Sequence, residues 1–303
     1  MKHQKKMSGI INKTSCVAES GRPVKLGHMT VNELRNYLKD NQTIILPYGV
    51  VEQHGYHLPL DTDIRNAEIL GERLARQIGC VCAPVLNYCF SGGMLTGTIN
   101  VKPNTFANMV GEIIESLVLQ GFKNIIIVPG HGGSESLVHL KESLRILKWL
   151  NPALSNTLII LMQLWNYSPT WLHLFKSRDY HAGDAETSLI SYMSPEVVRT
   201  RIVLDSPSVA ESLRDDPDSF QERTVLSTAP DEVVSTVQRA EVKVGVMGYP
   251  SRAKQETGKK IAEEILLNAG RALIKAVGEA EKSRKNKKRL PVKITEKLKI
   301  LSL

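Results

Sequence analysis

The segment Asn124-Ile125-Ile126-Ile127-Val128 runs through four consecutive β-branched residues and is followed at once by Pro129-Gly130-His131-Gly132-Gly133. An apolar run without polar alternation reads as a strand buried on both faces, and such a strand needs helices above and below its sheet. The chain supplies them. Val31 to Lys39, opened by the cap Thr30, has helical spacing, and Thr43 to Leu46 reads as a strand. Asn66 to Ile78 predicts a helix stopped by Gly79, and Cys80 to Val85 a strand with Cys80 and Cys82 at alternate core positions. Further on, Thr105 to Gln120, Glu135 to Leu150, Asp184 to Met193 and Ile261 to Glu279 predict helices, with Thr157 to Met162 as another strand. Asp205 to Ser235 is acidic and weakly periodic and reads as an irregular insertion. Strands alternating with helices predict an α/β fold, a mostly parallel sheet covered on both faces, with its site at the carboxyl ends of the strands.

The net charge of +8 invites a nucleic-acid reading until its location is considered. Nine basic residues lie between Lys282 and Lys299 against the single acid Glu296, so the first 281 residues balance. A neutral body lacks the basic face of a nucleic-acid-binding domain, and a terminal run of like charge reads as a solvated tail. The chain therefore divides into an extension over 1–25, a folded domain over 26–281 and a basic tail over 282–303, with no nucleic acid as partner. The longest apolar stretches, such as Thr157 to Leu164, fall far short of the roughly 18 residues a membrane span requires. The polar stretch after Lys2, Lys5 and Lys6 lacks a secretory apolar region. Cys16, Cys80, Cys82 and Cys89 include no Cys-x-x-Cys pair, which fits reduced thiols and a cytoplasmic address.

Chemistry concentrates at three places. Glu52-Gln53-His54-Gly55-Tyr56-His57-Leu58-Pro59-Leu60-Asp61-Thr62-Asp63 follows a predicted strand. On extended backbone Glu52 and His54 project to one side, and Gly55 and Pro59 let the chain turn and bring Asp63 back. Carboxylate, imidazole and carboxylate suit Zn²⁺ or Mn²⁺, although a loop with mutually satisfied side chains is the competing reading. His131 follows the second strand between glycines that let a ligand or metal approach the backbone. That turn lacks the Gly-Lys-Ser/Thr ending of a phosphate-binding P-loop. The third cluster, Asp179 to Ser188, puts His181 and Glu186 at a helix start, where a capping box alone would explain Asp184 and Thr187.

These three segments, Glu52 to Asp63, Pro129 to Ser134 and His181 to Ser188, resemble the hallmark motifs of the creatininase (creatinine amidohydrolase) family. They occur in the family's order, and the resemblance extends from about Leu26 to Gly278, including Gly245 to Pro250. It implies a three-layer α/β/α sandwich with a binuclear metal site that hydrolyses cyclic or linear amide C–N bonds, in a homo-oligomer that is often a hexamer. Glu52, His54, Asp63 and His131 match metal ligands, with Asp63 as the bridging carboxylate. The ions implied are two per subunit, zinc or manganese, with iron as a further candidate. Creatininase has a carboxylate two residues after the match to His131, where this chain has Gly133, and usually Asn where this chain has Ser134. Glu186 is expected to replace the missing carboxylate as ligand or base, and His181 to give a proton to the leaving amine. The departures argue against creatinine itself and keep three alternatives open: a formamide deformylase, a peptidase-like relative, or a non-catalytic small-ligand-binding α/β domain.

Overall fold

The computed structural model describes residues 24–286. Four parallel strands form the central sheet in the order β2-β1-β3-β4, where β1 is Thr43–Tyr48, β2 Val81–Cys82, β3 Asn124–Pro129 and β4 Leu158–Leu161. Register runs from Thr43 opposite Asn124 to Tyr48 opposite Pro129, so the ends of β1 and β3 are level. Every residue of both strands is buried, as the apolar runs predict.

Alternate side chains divide the core in two. Ile45, Ile126 and Val128 pack with α2 (Thr62–Ile78), α6 (Asp184–Met193) and α8 (Gln255–Asn286). Ile44, Leu46, Ile125 and Ile127 pack with α1 (Val31–Asp40), α3 (Pro103–Leu119) and α4 (Ser134–Leu150) on the opposite face. This is the three-layer α/β/α sandwich. Local chemistry sets the helix ends: Thr30 and Glu33 form a reciprocal capping box on α1, and Gly79 ends α2 at φ 74°.

Several elements depart from the sequence reading. Helix α2 begins at Thr62 rather than Asn66, because Thr62 and Asp63 are polar yet buried and so break the apolar spacing. β2 is two residues long. A short helix, α5 (Pro169–Lys176), is capped by Ser168 and tied to α8 through Glu264, which accepts from the Ser168 and Thr170 hydroxyls. The expected irregular insertion contains helix α7 (Pro207–Asp215) and an antiparallel hairpin of β5 (Gln221–Thr224) and β6 (Ser235–Gln238). The last helix passes position 281 and continues to Asn286, and Arg284 donates to the carbonyls of Asn156 and Lys123 and to Oδ1 of Asn124. The first residues of the basic run thus belong to the folded body; those after 286, and Cys16, lie outside the described residues. Cys82 and Cys89 are buried free thiols. No helix among the described residues is long and apolar enough to cross a membrane.

Candidate metal centre

Two close backbone approaches put Asp63 where β1 and β3 end. A Cβ on Gly49 would lie 2.5 Å from the Ile64 nitrogen, and one on Gly130 only 1.9 Å from the Asp63 carbonyl oxygen. Only glycine permits either contact. The first turn of α2 is therefore wedged between the two strand ends, and its Asp63 faces both the Glu52–His54 segment after β1 and His131 after β3.

The two oxygens of Asp63 point in different directions. Oδ1 lies 3.2 Å from Nε2 of His54, which is itself 3.8 Å from Oε2 of Glu186. Oδ2 lies 3.2 Å from Nδ1 of His131, and that nitrogen is 3.1 Å from Oε2 of Glu52. The result is two triads, His54–Asp63–Glu186 and Glu52–Asp63–His131, joined at Asp63, with donor atoms in each within 4.8 Å of one another. A third group of the same compactness, Glu52–His54–His181, shares their donors. All five residues of the joined triads are buried. Ser91, unremarked in the sequence, donates to Oε1 of Glu52 and leaves Oε2 facing His131.

The electrostatics are those of a cavity built for cations. Burial works to strip His54 of its proton, but the charge of the adjacent Asp63, then of Glu186 and Glu52, outweighs it and pushes the ring up to about 10. His131 is likewise held well above the ordinary imidazole range, against burial, by Glu52 and Asp63. Burial also opposes ionisation of Glu52 and Asp63, yet the surrounding imidazoles hold both below the usual carboxylate range. Glu186 goes the other way: burial, with Asp63 beside it, raises it to about 7 despite the pull of His54. Meanwhile Nε2 of His54, Oε2 of Glu52 and Nε2 of His131 have no hydrogen-bond partner among the described residues. Orphaned buried donors and acceptors on one constellation of carboxylates and imidazoles fit divalent ions, which supply the positive charge that protons supply here.

His181 completes the rim. Its Nε2 lies 2.9 Å from the Gln53 carbonyl oxygen and 3.1 Å from the Gln53 side-chain nitrogen, and its ring is 4.3 Å from that of His54. Burial, then the charge of His54, lowers its pKa. Met247 pairs with His181 through the backbone, and Asp179 accepts from the amides of Asp184, Ala185 and Tyr249, fixing the start of α6. Ala182, between them, has φ 50° and donates to Oε2 of Glu186 at 2.6 Å. A non-glycine residue in the left-handed region costs on the order of 1 kcal/mol and persists only where its surroundings hold it. Above the triads opens a cavity of about 440 Å³ walled by Trp165, Trp171, Phe175, Tyr180, Phe220 and Met247. The structure brings together the six residues singled out in the sequence, Glu52, His54, Asp63, His131, His181 and Glu186. Gln53 and Asp179 lie within the first and third clusters but carry no role there, Ser91 and the aromatic wall lie mostly outside the clusters, and for the wall only the Ser168-Pro169 helix-start signal before Trp171 was there to be read.

Comparison with known proteins agrees with this picture. The Creatininase family model, described as creatinine amidohydrolase, matches residues 27–273. The chain is 22% identical to creatinine amidohydrolase of Pseudomonas putida over 202 residues, 61% of this chain and 78% of that protein. It is 28% identical to mycofactocin precursor peptide peptidase of Mycobacterium ulcerans (strain Agy99) over 235 residues, 74% of this chain and 81% of that one. Among solved structures, a manganese form of creatininase superposes with a TM-score of 0.69 at 21% identity, covering 84% of this chain and 98% of its own. A variant creatininase of the Zn-Zn type gives 0.64 at 23% identity with the same coverage.

Proposed function

The chain belongs to the creatininase family, and from that premise we propose that it is a metal-dependent hydrolase of an amide C–N bond with two divalent ions in the joined triads. The observation that carries this reading is the division of Asp63: one oxygen turned to His54 and Glu186, the other to His131 and Glu52. Glu186 is then the third ligand of the His54 side, taking the place that a carboxylate at position 133 cannot fill. Ions of this kind, when bound, activate water near neutral pH and polarise a carbonyl.

The chain's own residues do the rest. Ser91 holds Glu52 by one oxygen so that the other stays available. His181 serves as the proton carrier to the leaving amine, and its setting suits a group that changes protonation: protonated at Nε2 it donates to the Gln53 carbonyl, and deprotonated it accepts from the Gln53 amide. The aromatic wall excludes water and orients the substrate.

The cavity has room beyond a small ring and carries Trp165, Trp171, Phe175, Tyr180 and Phe220 in its otherwise largely polar wall, which favours an amide with an extended, partly apolar group over creatinine. A peptide-like substrate is therefore the second reading, in keeping with the peptidase relative. Elemental analysis of the purified protein, followed by a panel of lactam, formamide and peptide amides, tests both. About two tight ions per subunit and turnover of one amide class are expected. A fully folded protein without tight metal would point instead to a non-catalytic binding domain. Sedimentation of the same sample tests the homo-oligomer, with a hexamer expected.

A further inference from the structure

His57 is 1% exposed and has no part in the roles above. Its Nε2 lies 3.1 Å from the carbonyl oxygen of Ala182 and 3.1 Å from Oγ1 of Thr187, while Nδ1 has no partner among the described residues. A carbonyl only accepts, so Nε2 carries the proton and the ring is the neutral Nε2–H tautomer. Burial, with His54 and His181 nearby, keeps it neutral by pushing it down to about 4. The carbonyl it holds belongs to Ala182, the residue at φ 50° whose own N–H donates to Glu186.

We propose that His57 is a positioning residue of the metal centre: its Nε2–H pins the Ala182 carbonyl, which keeps Ala182 in the left-handed region and its N–H on Oε2 of Glu186, so that this carboxylate faces His54 and Asp63. The proposal rests on the two-ion reading above. Ala182 is held at both ends, by His57 at its carbonyl and by Glu186 at its amide, and releasing one end frees a residue whose backbone favours other conformations. The competing role is packing alone, since a Cβ on Gly55 would lie 3.0 Å from the His57 ring. A ring that only fills space is replaceable by phenylalanine, whereas one that donates is better replaced by glutamine, whose Nε2 is a donor.

Titration of metal-free protein with Mn²⁺, counted by elemental analysis, separates the two. His57→Phe is expected to weaken one of the two ions about 10–100-fold and to leave the other, as outer partners of metal ligands do. His57→Gln is expected to recover most of that loss, and kcat should fall in His57→Phe with KM little changed. Nitrogen NMR of the metal-free wild type should find His57 neutral with its proton on Nε2, and the Ala182 amide proton should move in His57→Phe and return in His57→Gln. Wild-type affinity for both ions in His57→Phe, or a proton on Nδ1, would overturn the proposal. If the wild type binds fewer than two ions, the two-ion reading fails; the Ala182 amide shift then decides the role of His57 by itself, and an unmoved shift in His57→Phe overturns it.

Discussion

The Cβ that Gly133 lacks would lie 2.4 Å from Nε2 of His131. A side chain at this position would crowd the imidazole as it stands here, and on the two-ion reading proposed above the ligand is supplied from α6 instead, by Glu186. Putting the carboxylate back should harm the site. Gly133→Glu is expected to push His131 off Glu52 and Asp63, to weaken metal on that side by about tenfold or more, and to lower activity in proportion. Gly133→Ala should do much the same, because the clash is with Cβ. Metal content and rates on both variants check this, and tighter binding in Gly133→Glu would show that the two positions are interchangeable.

Stability of the metal-free protein should depend on pH with a definite sign. His54 and His131 have folded pKa values above the unfolded imidazole value, so their contribution is full below about 6.5 and fades as pH rises, for His54 toward about 10. Glu186, raised to about 7, adds a cost that grows from the unfolded carboxylate range up to that pH. Glu52 and Asp63, both depressed, contribute above about 4 and lose their contribution as pH falls below it. Denaturant midpoints of metal-free protein should thus decline between about pH 6.5 and 10. Adding metal should flatten that decline, because ligation needs the same imidazoles neutral and metal affinity rises over the same window.

Much of this was legible because burial writes itself into composition. β1 and β3 are buried on both faces and read as apolar runs, and the polar residues just beyond them read as site candidates because sites form at the carboxyl ends of parallel strands. The start of α2 was not legible for the same reason. Thr62 and Asp63 are polar and buried against the apolar pattern, Thr62 donating to the Pro59 carbonyl and Asp63 facing His54 and His131, so the spacing rule begins the helix one turn late. The hairpin escaped because its exposed polar residues carry little periodicity, α7 because its apolar face is only Val209, Ala210 and Leu213 within an acidic stretch, and Ser91 because one serine in a glycine loop looks like any other. Net charge also says nothing of packing: Arg284 counts as one more positive residue until its three acceptors are seen.

That arginine argues for a folded domain that runs past 281. Its guanidinium ties the end of α8 to the start of β3 at Asn124 and to the turn before β4 at Asn156, all through neutral oxygens. Hydrogen bonds from a charged donor to such groups are worth about 1–2 kcal/mol together at a half-buried site. Truncation after Asn286 should therefore leave the unfolding free energy from urea titration unchanged, whereas truncation after Glu281, or Arg284→Ala alone, should lower it by that amount. Equal stability of the two truncations would place the end of the domain at 281.

The roles of His181 and Glu186 are separable because the two touch different things. Glu186 faces His54 and the Ala182 amide inside a triad, while His181 faces Gln53 at the cavity wall. His181→Ala should keep both ions and lose about 10²–10⁴-fold in kcat on the amide it hydrolyses, because proton donation to the amine counts only in the transition state. Glu186→Gln keeps the shape and an acceptor oxygen but loses the charge, so it should weaken the ion on the His54 side and slow the reaction together. Because His181 also belongs to a compact donor group with Glu52 and His54, metal counts decide the case. Loss of an ion in His181→Ala would make it a ligand, and a fully metallated, active Glu186→Gln would reduce that carboxylate to a helix-start residue.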